Sequence, residues 1–396
     1  MPKRGQSDEY RRGPLRHVSP SPAWIASRRA AGRVDEDYGA SAEPSWREVD
    51  WPSHLHVARV AGRKVSYVDL GKREGPPVVF VHGLNGCWQN WLENMPAVAL
   101  DHRVVALDLP GFGGSEMSSE PIAITLFAEA VEGLCDHLGL GSVAVVGNSM
   151  GGFTAAELAI RQPERVERLV LVSAAGISIA KASRATSRVG RLLLSGGGLD
   201  PEHVRSVLRR PGLLQFAFGL VIRHPTRLEG DLLLEQLNGV GKPGFPDAFH
   251  ALVSYDFRDR LPEIACPTLV VHGTEDVLVP LGDALEFERR IPEATSLILE
   301  DTGHVPMLER PVTFNRALLE FLEQDVSPSE PDAQKAPVLA ETHEDPLVDY
   351  EGEGDPPPEE RDNEDPAPNA PEPRRLSTSG EDAGNPLRRA GGSTRG

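Results

Sequence analysis

The chain has no apolar stretch near its N-terminus that is long enough to cross a bilayer or form a signal-peptide core. Ala23 to Ala26 is followed at once by Ser27, Arg28 and Arg29. A span needs about 20 apolar residues, so neither an anchor nor an export leader is expected there. Cysteine is scarce. Cys87, Cys135 and Cys266 are an odd number without metal-ligand spacing, which argues against a metal site and fits a reducing cytoplasm. Positive charge is also short, with 41 Lys+Arg against 59 Asp+Glu and a net charge of −18. Nucleic-acid binding needs concentrated Lys and Arg, so nucleic acid is not expected as the main partner.

The charge is unevenly spread. Residues 325–396 hold 18 Asp+Glu against 7 Lys+Arg and include Pro356-Pro357-Pro358, whereas eight of the nine basic residues in positions 1–50 lie within the first 33. Neither end has the apolar content to offset chain entropy. Residues 1–50 therefore read as a mostly disordered basic arm. Residues 325–396 read as a disordered acidic, proline-rich tail, a solvated chain first and a candidate for protein contact second.

From about residue 55 to 324, short apolar runs alternate with amphipathic segments, the pattern of a mostly parallel sheet flanked by helices. Strands are predicted at Val65–Leu70, Pro77–His82, Val104–Leu109, Val143–Gly147, Leu169–Ser173, Thr268–His272 and Ser296–Leu299. Several are continuously apolar, as strands buried on both faces must be. Helical spacing runs over Ile124–Leu138, Phe153–Ile160, Leu281–Arg290 and Phe314–Leu322, with Pro280 and Pro311 where helices can start. The rhythm breaks between Ala175 and Pro267. That stretch is too long for a connection, and its apolar residues (Val189 to Leu193, Val204 to Leu208, Leu213 to Ile222, Leu232 to Leu237) are spaced helically. It is predicted to be a helical cap, residues 177–266, inserted into a core of 51–176 and 267–324. There is no internal repeat.

Gly147-Asn148-Ser149-Met150-Gly151 follows the apolar run Val143 to Val146 directly, so a strand ends in a tight turn and a helix begins at once. Small residues two before and two after Ser149 let strand and helix approach while the strained serine pushes its oxygen outward. A serine hydroxyl is a poor nucleophile until a base takes its proton. His304, in Asp301-Thr302-Gly303-His304-Val305-Pro306, follows an apolar strand and belongs at the same sheet edge. Asp276 lies three residues beyond Gly273 at another strand end and suits the role of orienting acid. Glu275 and Asp301 remain alternatives for that role. Val78 to Val81 runs into His82-Gly83-Leu84-Asn85-Gly86, a loop able to turn the N–H of Leu84 toward a reacting carbonyl beside the N–H of Met150. His82 reads as a loop-bonding residue and His272 as strand-end packing. Cys87 reads as a small buried thiol.

The order Ser149, Asp276, His304 resembles that of the α/β-hydrolase fold superfamily. Asp108-Leu109-Pro110-Gly111-Phe112-Gly113-Gly114-Ser115 resembles the family's loop after its fourth strand, and Glu309-Arg310-Pro311 its sequel to the histidine. The resemblance covers residues 51–324 and is to a capped member, similar to esterases and meta-cleavage-product hydrolases. It implies that Ser149 attacks, that His304 serves as base then acid, and that Asp276 holds the imidazole. It also implies that the insertion covers the site. Asp-nucleophile branches (haloalkane dehalogenases, epoxide hydrolases) are excluded by Ser149.

Asn85, Trp88, Phe216 and Phe218 are candidates to line a substrate pocket, with core packing the competing reading for the aromatics. The expected activity is hydrolysis of a carboxylic ester or related acyl compound, lipophilic given the Leu, Val and Phe content of the insertion, with no cofactor and no metal. Carbon–carbon bond hydrolysis, acyl transfer or perhydrolysis, and a non-enzymatic binding role are the alternatives. If the acidic tail is a solvated appendage, deleting residues 325–396 should leave the thermal midpoint within about 2 °C and activity unchanged, as scanning calorimetry and an ester assay would show.

Overall fold

The computed structural model describes residues 37–178 and 210–324. Eight strands form one sheet: β1 (Leu55–Val60), β2 (Arg63–Gly71), β3 (Pro77–Val81), β4 (Arg103–Leu107), β5 (Val143–Asn148), β6 (Val166–Val172), β7 (Thr268–Gly273) and β8 (Ala294–Leu299). Their spatial order is β1-β2-β4-β3-β5-β6-β7-β8. The β1–β2 and β2–β4 pairs are antiparallel and all others parallel. The helices of seven residues or more are α1 (Ile124–His137), α2 (Met150–Arg161), α3 (Pro211–Phe218), α4 (Gly230–Gln236), α5 (Phe245–Ser254), α6 (Leu281–Arg290) and α7 (Pro311–Leu322). This is an α/β-hydrolase fold.

The continuous apolar runs are explained by burial on both sides of the sheet. Val79, Val81, Val105, Leu107, Val145, Leu169 and Leu171 face one layer, which includes residues of α1 and α2. Their alternates Val78, Phe80, Val104, Ala106, Val146, Val170 and Val172 face the other, closed in part by α7. Pleating sends successive side chains to opposite faces, so both parities must be apolar.

Seven strands lie where the sequence places them, within a few residues at their ends. The eighth, β1, is absent from the sequence reading. Its buried residues Ala58 and Val60 are apolar, but so are Leu55 and Val57 on the exposed face beside Arg59, so alternation marks it poorly. It pairs with β2 through a two-residue turn, Ala61 and Gly62, both at positive φ (46° and 80°). That is the turn whose twist suits a hairpin.

The boundary of the N-terminal arm is corrected. Residues 37–50, which the sequence assigns to a disordered arm, pack on the core: Tyr38, Ala42 and Trp46 are buried. The N–H of Ala42 and the indole N–H of Trp46 both donate to the buried Glu93, at 2.8 and 2.9 Å. Few apolar residues occur there, but these three find sites on a surface formed by distant parts of the chain.

Between β6 and β7 the described residues include α3, α4 and α5. The last has no counterpart in the helical spacing of the sequence, and the spacing at 189–208 lies outside the described residues. This insertion stands directly on loops at the carboxyl edge of the sheet. Gln236 accepts from Asn90 Nδ2 at 2.7 Å and donates to the carbonyl of Gln89 at 3.1 Å. Gly239 lies so close to the Asn85–Gly86 backbone that a Cβ there would overlap it. The Gly244 N–H donates to the Gly111 carbonyl at 3.0 Å.

Among the described residues, no helix is long and apolar enough to cross a membrane. Cys87, Cys135 and Cys266 are buried and unpaired. Burial pushes the Cys135 thiol up to about 12 and that of Cys266 to about 11, so these thiols stay protonated and inert.

Phe257 joins the insertion's exit to the core. It is fully buried, with ring centroids 4.3 Å from Phe153 and 6.3 Å from Phe287. Phe257→Ala is expected to cost about 3–5 kcal/mol through lost burial and a cavity. Urea unfolding measures this, and a loss below about 1 kcal/mol would contradict the packing described.

Candidate active site

β5 ends in the turn that carries Ser149. Its backbone is strained, at φ 55° and ψ −116°, and α2 begins at the next residue. Left-handed backbone costs a non-glycine residue of order 1–3 kcal/mol and persists only where surroundings impose it. Here the Ser149 N–H donates to Val172 O at 2.9 Å, and its carbonyl accepts from Phe153 at 3.0 Å and Ala175 at 3.1 Å. The flanking glycines are required by close approach. A Cβ at Gly147 would overlap the Gly151 carbonyl, and one at Gly151 would overlap the carbonyl of Val81.

His304 follows β8 on a loop that meets this turn. Its Nδ1 donates to Asp276 Oδ2 at 2.7 Å. A neutral imidazole with its proton on Nδ1 keeps its lone pair on Nε2. Asn148, the residue before Ser149, donates from Nδ2 to the carbonyls of His304 (3.2 Å) and Val172 (3.1 Å), tying the histidine's loop to the serine's turn.

Asp276 is buried, and its second oxygen accepts the N–H groups of Leu278 and Val279, both at 2.9 Å. Burial raises its pKa, but the attraction of His304 and these hydrogen bonds outweigh that and hold the carboxyl below its ordinary value. Of the alternatives for the orienting acid, Asp301 is engaged by His224 Nε2 at 2.9 Å and Arg223 Nε at 3.3 Å. Glu275 has Arg223 as its ion-pair partner, at 3.9 Å. The structure therefore brings Asp276, and neither neighbour, to His304.

The loop after β3 lies against the serine. A Cβ at Gly83 would stand 3.2 Å from Ser149 Cβ, which places the Leu84 segment beside the turn. Asn85 follows at φ 59°. Met150 is the first residue of α2, so its N–H is one of the helix's unpaired donors. His82 is bonded within the loop, as the sequence suggests: Nε2 accepts from the Leu109 N–H at 2.9 Å and Nδ1 donates to the Gly83 carbonyl at 2.7 Å. Burial lowers its pKa, which keeps it neutral. His272 is likewise buried and lowered, donating from Nε2 to Val279 O at 3.0 Å, with Asp276 3.6 Å away.

Three predicted pocket residues are placed elsewhere. Trp88 and Phe218 are buried in the apolar layer under the sheet, and the Trp88 ring packs on Trp51 at 5.2 Å. Phe216 is 83% exposed on the outer side of α3. One-dimensional spacing identifies such aromatics as apolar without saying which apolar surface they join.

Two further residues shape the site. Asp108 accepts the N–H groups of Trp88 (2.9 Å) and Gly114 (2.8 Å), linking the loops after β3 and β4. Its signal in the sequence is an aspartate between a strand end and a glycine-rich loop. Glu309, fully buried, accepts the N–H groups of Gly303 (3.0 Å) and Val305 (3.2 Å) on either side of His304. Among the described residues, no group of three or more His, Cys, Asp or Glu is arranged to hold a metal.

Fold and site together define a hydrolase-type α/β architecture, and comparison with known proteins agrees. The α/β hydrolase fold family model matches residues 76–199. The chain is 31% identical over 280 residues to 2-hydroxy-6-oxo-6-phenylhexa-2,4-dienoate hydrolase of Comamonas testosteroni, covering 66% of this chain and 91% of that protein. It is 32% identical over 271 residues to the dihydrolipoyllysine-residue acetyltransferase component of the acetoin cleaving system of Pseudomonas putida, covering 67% and 69%. The crystal structure of an enol-lactonase from Burkholderia xenovorans LB400 superposes with a TM-score of 0.57 at 25% identity, covering 68% and 100%. The chain belongs to the α/β hydrolase fold family.

Because the folded-state pKa of Asp276 is depressed, its contribution to stability is complete above the unfolded value of about 3.9 and is lost as pH falls through the lower folded value. Asp276→Asn should therefore flatten the acid side of the stability–pH curve. Urea unfolding at pH values from about 2 to 6 checks this, and parallel wild-type and variant curves would contradict it.

Proposed function

We propose that this protein is a serine hydrolase that cleaves a carboxylic ester or related acyl compound through an acyl-enzyme at Ser149. The observation that carries the reading is the convergence of a strained serine at a helix start, a His304–Asp276 pair at 2.7 Å and a glycine loop against the serine. In the first half-reaction Ser149 Oγ attacks the carbonyl carbon and its proton passes to His304 Nε2. Asp276 stabilises the imidazolium so formed and fixes its tautomer. The developing oxyanion is met by the N–H groups of Leu84 and Met150, each such donor being worth about 2.7–4 kcal/mol of barrier. Collapse expels the alcohol, which takes the proton from His304. Water then gives its proton to His304, attacks the acyl carbon, and releases the acid and Ser149.

The insertion between β6 and β7 acts as the cap, and its apolar residues favour a lipophilic small-molecule substrate. A second reading, hydrolysis of a carbon–carbon bond in a dienoate, is favoured by the likeness to the Comamonas testosteroni enzyme. It uses the same residues and needs in addition a polar pocket for an enol and a carboxylate.

Labelling by a fluorophosphonate probe tests the nucleophile. The wild type should label, and Ser149→Ala should not label and should lose about 10⁶ in kcat. A wild type that does not label rejects the reading. p-Nitrophenyl esters of rising chain length are expected to react faster with length, and preference for acetate would sink the lipophilic assignment. Bleaching of a yellow dienoate would favour the second reading.

A further inference from the structure

Tyr38 shares the buried carboxylate that grips the loop of His304. Its hydroxyl donates to Glu309 Oε2 at 2.5 Å and accepts the N–H of His224 at 2.8 Å. The same oxygen accepts Gly303 N–H at 3.0 Å and Arg223 N–H at 2.9 Å, and Oε1 accepts Val305 N–H at 3.2 Å. One carboxylate thus gathers the residues flanking His304, the segment 223–224 of the insertion, and the N-terminal segment. The contact is built on both sides. The Glu309 carbonyl accepts the Gly39 N–H at 2.8 Å, and the Tyr38 ring lies under the Arg310 guanidinium (5.3 Å) and edge-on to His224 (5.2 Å). Burial, then the charge of Glu309, push the Tyr38 phenol far up, so it remains an O–H donor.

We propose that Tyr38 is a positioning residue: through Glu309 it fixes the 303–305 backbone and with it the His304 ring, making residues 37–39 part of the active-site scaffold. This rests on the assignment of His304 as the base. A carboxylate out of contact with water must be met by donors. Remove the hydroxyl and the remaining N–H donors draw the carboxylate, and the backbone of Gly303 and Val305 moves with it. A shift of about 1 Å in a proton-transfer group can cost about a hundredfold in rate. A smaller displacement still lowers kcat while leaving substrate binding intact. The competing reading is that Tyr38 only seals the N-terminal segment onto the core.

The test is steady-state ester hydrolysis by the full chain. Tyr38→Phe keeps the ring and its contacts and removes only the hydroxyl. At about 20 °C below its own thermal midpoint it should lose roughly tenfold in kcat with KM within about twofold. Glu309→Gln should lower kcat at least as much, and the double variant should be no slower than Glu309→Gln alone, because the two act in series. Arg47→Ala removes a different link of the N-terminal segment to the insertion, the ion pairs with Asp231 and Glu229, and should leave kcat unchanged.

Unchanged kcat in Tyr38→Phe, or multiplicative effects in the double variant, overturns the proposal. If Tyr38→Phe does not fold, unchanged kcat in Glu309→Gln does so, since the route from Tyr38 to His304 is then broken. Fluorophosphonate labelling of the wild type is scored on the same preparations. Its absence rejects the serine-hydrolase reading, whereas labelling of Ser149 with wild-type kcat in Tyr38→Phe rejects the positioning role alone.

Discussion

The close approach of β3, β5 and α2 is the constraint on which the site depends. Gly147 and Gly151 face carbonyl groups with no room for a Cβ, and the chain turns from strand to helix within one residue, Ser149. The left-handed conformation of that serine is imposed by the ladder with β6 and the first turn of α2. Everything else is arranged around it. Gly83 is near because β3 neighbours β5, and His304 is near because Asn148, one residue earlier, reaches its carbonyl.

Two buried carboxylates divide the work of holding His304. Asp276 acts on the ring, with one oxygen on Nδ1 and the other on two backbone N–H groups. Glu309 acts on the backbone, gripping the loop on both sides of the histidine. A histidine on a loop would otherwise sample several rotamers and positions. Fixing ring and backbone separately leaves it little freedom, as the proposed role of base requires.

What could be read in the sequence follows from how local the causes are. Several strands of the sheet are continuous apolar runs, and the glycine–serine turn, the glycine loops and the His304 segment are short motifs recognisable from adjacent residues. Asp276 was legible as a strand-end carboxylate, but only distance separates it from Glu275 and Asp301. Non-local causes stayed hidden. Trp88 and Phe218 are apolar for either a pocket or a core, and the face they join is set by residues far along the chain. Glu309 attracted notice only as part of a motif, because its partners Tyr38 and Arg223 are remote in sequence. Tyr38 has no local signal at all, and neither do the apolar exposed residues that disguise β1.

The glycine contacts under the insertion bear on how this framework could be re-engineered. Gly239 against Gly86, and Gly244 against Gly111, join the insertion to the sheet edge by main chain alone. Such joints carry no side-chain identity to be matched. A foreign segment grafted between β6 and β7 would need glycine at those two points to come as close to the sheet edge, besides side chains to replace the bonds of Gln236 to Asn90 and Gln89. They work as sockets, specifying clearance where the insertion meets the sheet edge and placing no demand on side-chain chemistry at those two points.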